Sequence, residues 1–201
     1  MPSDWGLFWR GVGERVRLVT TFDTVEKAEL RLKYAEERQA IAEQIIAESD
    51  DDDAIDRAER VLARSSKLVE QVSERMDDIV GRADDRAERL LENITIFEAR
   101  RTERIADIEA RILERVEDPE RLERILNRLD TEREKVANRT ERLTNIIVNR
   151  ELPPEVKERL RHAAVRAQAA ASTTVDMRAE RKDLLEAVRN GEEGARDAFR
   201  E

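Results

Sequence analysis

Apolar residues recur along this chain at alternating spacings of three and four, the interval that puts side chains on one face of an α-helix. Ala28, Leu32, Ala35, Gln39, Ala42 and Ile46 form the first such seam, and Glu29, Lys33, Glu36 and Glu43 occupy the opposite face at ion-pairing intervals. Asp23 precedes the seam and Glu26 follows three residues later, the arrangement of a helix N-cap and its capping-box partner. A helix is therefore predicted over 24–48. Ser49 to Asp53, "SDDDD", ends it and gives the next helix an acidic start.

From Ala54 to Val116 there is no Pro and one Gly. The seam reads Ile55, Ala58, Leu62, Ser65, Val69, Val72, Met76, Ile79 and Ala83, then Ala87, Leu90, Ile94, Phe97, Ile105, Ile108, Ile112 and Val116. The extra residue between Ala83 and Ala87 reads as a stutter, a local change of supercoil winding. Gly81 lies beside it and marks where a bend would fall. The pattern predicts one continuous helix over 54–116, about 95 Å long at ~1.5 Å per residue.

"EDPE" supplies the next boundary, with Asp118 as cap and Pro119 at the first helical position. Leu122, Leu126, Leu129, Val136, Leu143 and Ile147 then predict a helix over 120–150, with Arg133 and Thr140 interrupting the same seam. "ELPPE" separates it from a last helix over 153–189, with Val156, Leu160, Ala163, Ala167, Ala170, Leu184 and Val188 inward. Gly191 terminates that helix, and 191–201 is expected to be a frayed tail. Trp5, Phe8, Trp9, Val12, Val16 and Val19 also follow helical spacing, which predicts a short amphipathic helix over 4–18.

These elements predict an all-α fold: a single elongated domain over 1–190, an antiparallel helical bundle or coiled coil built around one very long helix. Short turns make sequential helices antiparallel neighbours. One end is therefore expected to be a three-helix bundle. The other is a hairpin of 24–48 against the first half of the long helix, with the aromatic N-terminal helix folded over it as a third element.

Composition agrees with long helices. Charged residues make up 42% of the 201 positions and aromatics only 3%. The net charge is −9 with both signs interleaved, and no basic stripe of the kind nucleic acids need is visible. With no Cys there is no disulfide, thiolate nucleophile or Cys-based metal site. No stretch approaches the roughly 20 apolar residues that cross a bilayer. No signal-peptide pattern is read at Met1, which leaves a cytoplasmic chain or an exported domain without its leader.

Candidate chemistry is sparse. Asp50, Asp51, Asp52 and Asp53 offer carboxylates for Ca²⁺, yet they lack the ligand spacing of an EF-hand, and a solvated capping turn is the better reading. Asp77, Asp84 and Glu88 lie near one helical face, but Arg75, Arg82, Arg86 and Arg89 are interleaved to neutralise them. His162 is the only histidine and has no cluster of further ligands around it. No metal or cofactor is expected, and no acid, base and nucleophile can be grouped into a catalytic site. Asn93 and Asn138 head glycosylation-type tripeptides in mid-helix, where chance matches are the better reading. Trp5, Phe8 and Trp9 could enter a membrane interface or a partner's groove. A core plug, with Phe22 and Tyr34 as further packing or partner residues, is preferred because exposed aromatic patches are a solubility liability.

"DWGLFWRGVGERVRLVTTFD" followed by "EKAELRLKYAEER" resembles the opening of a helical family of unknown function, the DUF5667 type. Thr21, Phe22, Asp23, Lys27, Ala28, Glu29, Leu32, Ala35, Glu36 and Arg38 occupy its typical turn and helix positions. Thr24 stands where that family usually has Pro. The likeness is specific over 4–48 and compositional afterwards. It implies an all-helical, non-enzymatic domain usually found outside the cytoplasm, and no activity to carry over.

Two functions follow as expectations. The first is a non-enzymatic structural or protein-interaction module of the cell envelope or exterior, with a protein partner or homo-oligomer, and no nucleic acid. The second is an extracytoplasmic binding protein, a helical chaperone or divalent-metal binder using the acidic clusters.

Overall fold

The computed structural model describes residues 14, 17–48, 52–81, 85–116, 118–150, 152–166, 169, 183, 186, 187 and 190, and no strand occurs among them. Five helices are bounded as α1 (Thr24–Glu48), α2 (Asp52–Ser73), α3 (Met76–Val80), α4 (Asp85–Arg115) and α5 (Pro119–Asn149). A sixth, α6, covers 154–166.

Local chemistry sets the helix ends. The Asp23 carboxylate accepts the backbone N–H of Glu26 at 2.7 Å. Asp118 does the same for Glu120 and Arg121 at 2.9 and 3.4 Å, with Pro119 at the first helical position where a missing N–H costs nothing. At the far end of α5, the Lys157 ammonium donates to the carbonyls of Val148 and Arg150 at 3.2 and 3.3 Å. It places a cation where the helix dipole is negative and its last carbonyls lack partners.

The expected continuous helix over 54–116 is not formed. It breaks after Ser73 and again after Val80, giving α2, the single-turn α3 and α4. At the first break the Arg75 N–H bonds the Val72 carbonyl, a tightened three-residue turn. At the second, Gly81 ends α3 with φ −59° and ψ −15°, a geometry open to any residue. An added Cβ there would come tightly against the Asp77 carbonyl at 3.2 Å and reach the Arg150 guanidinium at an ordinary contact distance of 3.5 Å.

The second break turns the chain back on itself and replaces the expected layout of a three-helix end and a hairpin end. Ser65 of α2 meets Ala35 of α1, and Arg139 of α5 meets Glu98 of α4, within two antiparallel hairpins. The hairpins pack with like ends together. Glu29 pairs with Arg86 and Glu43 with Arg104, so α1 and α4 run parallel. Glu59 pairs with Arg128 and Glu70 with Arg142, so α2 and α5 do likewise, and Asp77 of α3 continues the row with Arg150. Four long helices thus share one bundle, and α6 docks on it through Leu160 and the Arg159–Glu92 ion pair.

The physical reason is burial. A straight helix would carry Ile105, Ile108 and Ile112 far beyond the end of α1. Folding back puts them in the same apolar cluster as Ile41, Ile45, Ile55, Leu62 and Leu126. Each such side chain removed from water contributes about 1.5–3 kcal/mol. The sequence seams themselves are right: Ala28 to Ile46, Ile55 to Ile79, Ala87 to Val116 and Leu122 to Ile147 are buried at the described positions named above.

α1 buries more than its seam. Leu30, Tyr34, Ile41 and Ile45 form a second buried stripe, and Glu14 pairs with Arg38 on the same helix. The expected 4–18 helix falls outside the described residues except at 14, 17 and 18, which are helical, as are 19 and 20 beyond its expected end. Its proposed placement over the hairpin, most of the last helix beyond 166, and the tail also lie outside them.

Candidate functional site

The apolar core is in two pieces with a polar layer between them. One cluster stops at Ile41, Leu62, Ile105 and Val136; the other begins at Ala35, Val69, Phe97 and Leu143. Each of the four long helices contributes polar side chains to the gap: Gln39 from α1, Ser65 and Ser66 from α2, Glu98, Arg101 and Thr102 from α4, and Arg139 and Thr140 from α5, all buried.

Two arginines anchor this layer. Arg101 is fully buried; its Nη1 donates to Ser65 Oγ at 3.1 Å and its Nη2 to Glu132 Oε2 at 3.0 Å and the Leu62 carbonyl at 3.4 Å. Ser65 passes the chain on, donating to the Ala35 carbonyl at 2.8 Å. Four elements of structure are tied by one guanidinium. Arg139, 1% exposed, forks onto the fully buried Glu98 through Nε and Nη2, the planar two-point pairing only arginine supplies. Its Nη1 reaches Ser66 Oγ at 3.4 Å and Glu70 at 3.3 Å. Two turns nearer the α4–α5 connection, Arg133 pairs with Glu109 and, at 3.5 Å, with Asp130.

Charge states follow from these contacts. Burial depresses the Arg101 pKa, opposed by Glu98 and Glu132. Burial also works against the Arg139 charge, but Glu98 and Glu70 outweigh it and the pKa rises. For Glu132 burial favours the neutral acid, while hydrogen bonds from Lys135 and Ser66 and the Arg101 charge prevail and hold its pKa below the ordinary value. Glu59, nearer the start of α2, goes the other way: burial raises it despite Arg128. The layer is thus a set of mutually neutralised ions. Some of its atoms find no protein partner, namely both amide atoms of Gln39, Nε of Arg101 and Oγ1 of Thr140.

Beside the layer, between α2 and α5, a groove of about 500 Å³ is lined by Ser66, Lys67, Glu70, Lys135, Asn138, Arg139 and Arg142, with Ala63 at one edge. A second, of about 410 Å³, lies nearer the start of α2 between Asp56, Glu59, Arg60, Ala63 and Arg128.

The sequence candidates are scattered by the fold. Asp52 opens α2 and Asp53 is exposed, while Asp50 and Asp51 lie outside the described residues. Asp77 is exposed, with its carboxylate 3.6 Å from Arg150; Glu88 is half-buried, and Asp84 is outside the described set. Among the described residues no three His, Asp or Glu side chains converge in a way that could hold a metal ion. His162 is exposed. Tyr34 packs in α1 as a buried residue, whereas Phe22 is 94% exposed. Trp5, Phe8 and Trp9 lie outside the described residues.

The buried ions were missed, although a signal existed. Gln39, Ser65, Arg133 and Thr140 sit on the seams, and Arg101 fills the slot midway between Phe97 and Ile105. Glu98 and Glu132 flank the seams and carry no such signal; they become interior only because a fourth helix closes over them.

The family model of a domain of unknown function, DUF5667, matches residues 1–100. The likeness read over 4–48 thus extends through α3 and into α4, ending one residue before Arg101. No curated protein and no solved structure matches the chain. No helix among the described residues is long and apolar enough to cross a membrane.

Proposed function

We propose, from a chain that carries a DUF5667 domain over residues 1–100, that this protein is a non-enzymatic helical module for structure or protein interaction in the cell envelope or exterior. The observation that carries this reading is how the buried charges are used. Glu98, Glu132 and Glu109 are each engaged by an arginine across the α4–α5 interface. A catalytic carboxylate needs access to substrate; these three are buried and engaged by arginines instead. Buried ion pairs add little net stability compared with apolar residues of the same size, and their best-attested use is to fix register. Here they would hold four charge-rich helices in one alignment while the surface ion pairs keep the outside of the bundle hydrated.

A rigid bundle of this kind serves as a platform. Val19 and Phe22 before α1 and Val148 near the end of α5 are exposed apolar side chains at the same end of the bundle, the place to look for a partner. A photoreactive amino acid in place of Phe22, irradiated in intact cells, is expected to give a discrete cross-linked protein. Labelling no different from a probe at the exposed Glu36 would remove the interaction reading. The envelope location rests on the family resemblance. Degradation by protease added outside intact cells supports it, and full protection until lysis would overturn it.

A further inference from the structure

The geometry points to the groove between α2 and α5 as a binding site for a small oxyanion carrying two negative groups, either a diphosphate or a di- or tricarboxylate. Among the described residues four cationic side chains line it, Lys67, Lys135, Arg139 and Arg142, against the single carboxylate of Glu70. The balance persists when the layer behind is included. Arg101 adds a fifth cation, and Glu98 and Glu132 bring the carboxylates to three. Two positive charges are left over in a protein whose net charge is −9. The neighbouring groove sets the contrast. Its lining of Asp56, Glu59, Arg60 and Arg128 is balanced, two of each sign, as expected of an ordinary ion-paired face.

The excess charge is also available. Among the described residues Lys67 enters no ion pair, and the contacts of Arg142 with Glu70 and Ser73 are long, both 3.4 Å. Lys135 is half exposed although bonded to Glu132 at 2.7 Å. Ser66 and Asn138 add a hydroxyl and an amide to the wall. Arg139 is held rigidly at the inner edge by its fork onto Glu98, so no side-chain ordering is needed there when a ligand arrives. Lys135 and Arg142 are seven residues apart on α5, about 10 Å along the axis. That separation suits two anionic groups on one small molecule better than one monoanion. A groove of about 500 Å³ is in the range of small-molecule sites.

The test is a nuclear magnetic resonance titration of the ¹⁵N-labelled full chain with pyrophosphate and, separately, with citrate, at constant ionic strength set by NaCl. Saturable shifts at Ser66, Lys67, the Asn138 side-chain amide and Arg142 are expected with one of the two, which identifies the ligand class. The double variant Lys67→Ala/Arg142→Ala, both surface changes that leave the thermal midpoint near wild type, is expected to weaken binding by at least about tenfold. Arg128→Ala in the balanced groove is expected to leave it unchanged. Absence of saturable shifts with both anions up to about 10 mM, or equal weakening by Arg128→Ala, overturns the proposal. Failure here leaves the interaction reading standing, because Phe22 lies away from this groove and is probed separately.

Discussion

Arg139→Met would test the ionic layer where its energetics are sharpest. Glu98 is fully buried and both its oxygens accept from Arg139. Removing the guanidinium leaves a fully buried carboxylate without its forked partner, with only the more distant Arg101 charge acting on it. Two charge-assisted hydrogen bonds, each of roughly 1.5–3 kcal/mol, are lost, in line with the ~3–5 kcal/mol cost of orphaning one member of a buried pair. At about 2–4 °C per kcal/mol for a chain of this size, the thermal midpoint should fall by roughly 6–20 °C. The double variant Glu98→Leu/Arg139→Met removes both charges and fills similar volume. It should recover to within about 1 kcal/mol of wild type or exceed it. Glu70, also a partner of Arg139, is partly exposed and can turn to water. Urea unfolding of the four proteins in the cycle gives the coupling directly. If the double variant loses as much as the two single variants added together, the layer is not a set of mutually dependent ions and the reasoning fails.

Three further outcomes are expected. Glu132 has its pKa held below the ordinary value of 4.5, so the unfolded chain takes up this proton first as pH falls. The stability that wild type holds over Glu132→Gln should therefore be full at pH 7 and fade below about pH 4.5; an advantage that grew with acid would contradict the assignment. Asp118→Ala removes the acceptor for two backbone N–H groups and should cost about 1 kcal/mol, read from denaturant midpoints at unchanged slope. A chain ended after Arg100, where the family match stops, lacks half of α4 and all of α5. It should show no cooperative melt by circular dichroism, because Ile41, Leu62 and their neighbours lose the cluster formed with Ile105 to Leu129; a sharp transition would show that the matched segment folds alone.

The sequence by itself determined the helices and their inward faces. Period and capping are local matters, so Ala28 to Ile46 named the face of α1, and Asp118 with Pro119 named the start of α5, without knowledge of neighbours. It did not determine how the faces meet. A run free of proline from 54 to 116 reads as one rod, because propagating a helix is locally favourable at nearly every residue in it. Only the gain from burying both halves of that run against α1 and α5 together decides that the chain folds back near Gly81. The ionic layer follows from the same decision. Whether Glu98 or Glu132 is inside depends on which helix covers it, and spacing along one strand of sequence cannot report the approach of another. Polar residues on the seams, Gln39, Ser65, Arg133 and Thr140, showed that interruptions existed; tertiary structure gathered Gln39, Ser65 and Thr140 at one level and brought Arg101, Arg139 and Glu98 in beside them.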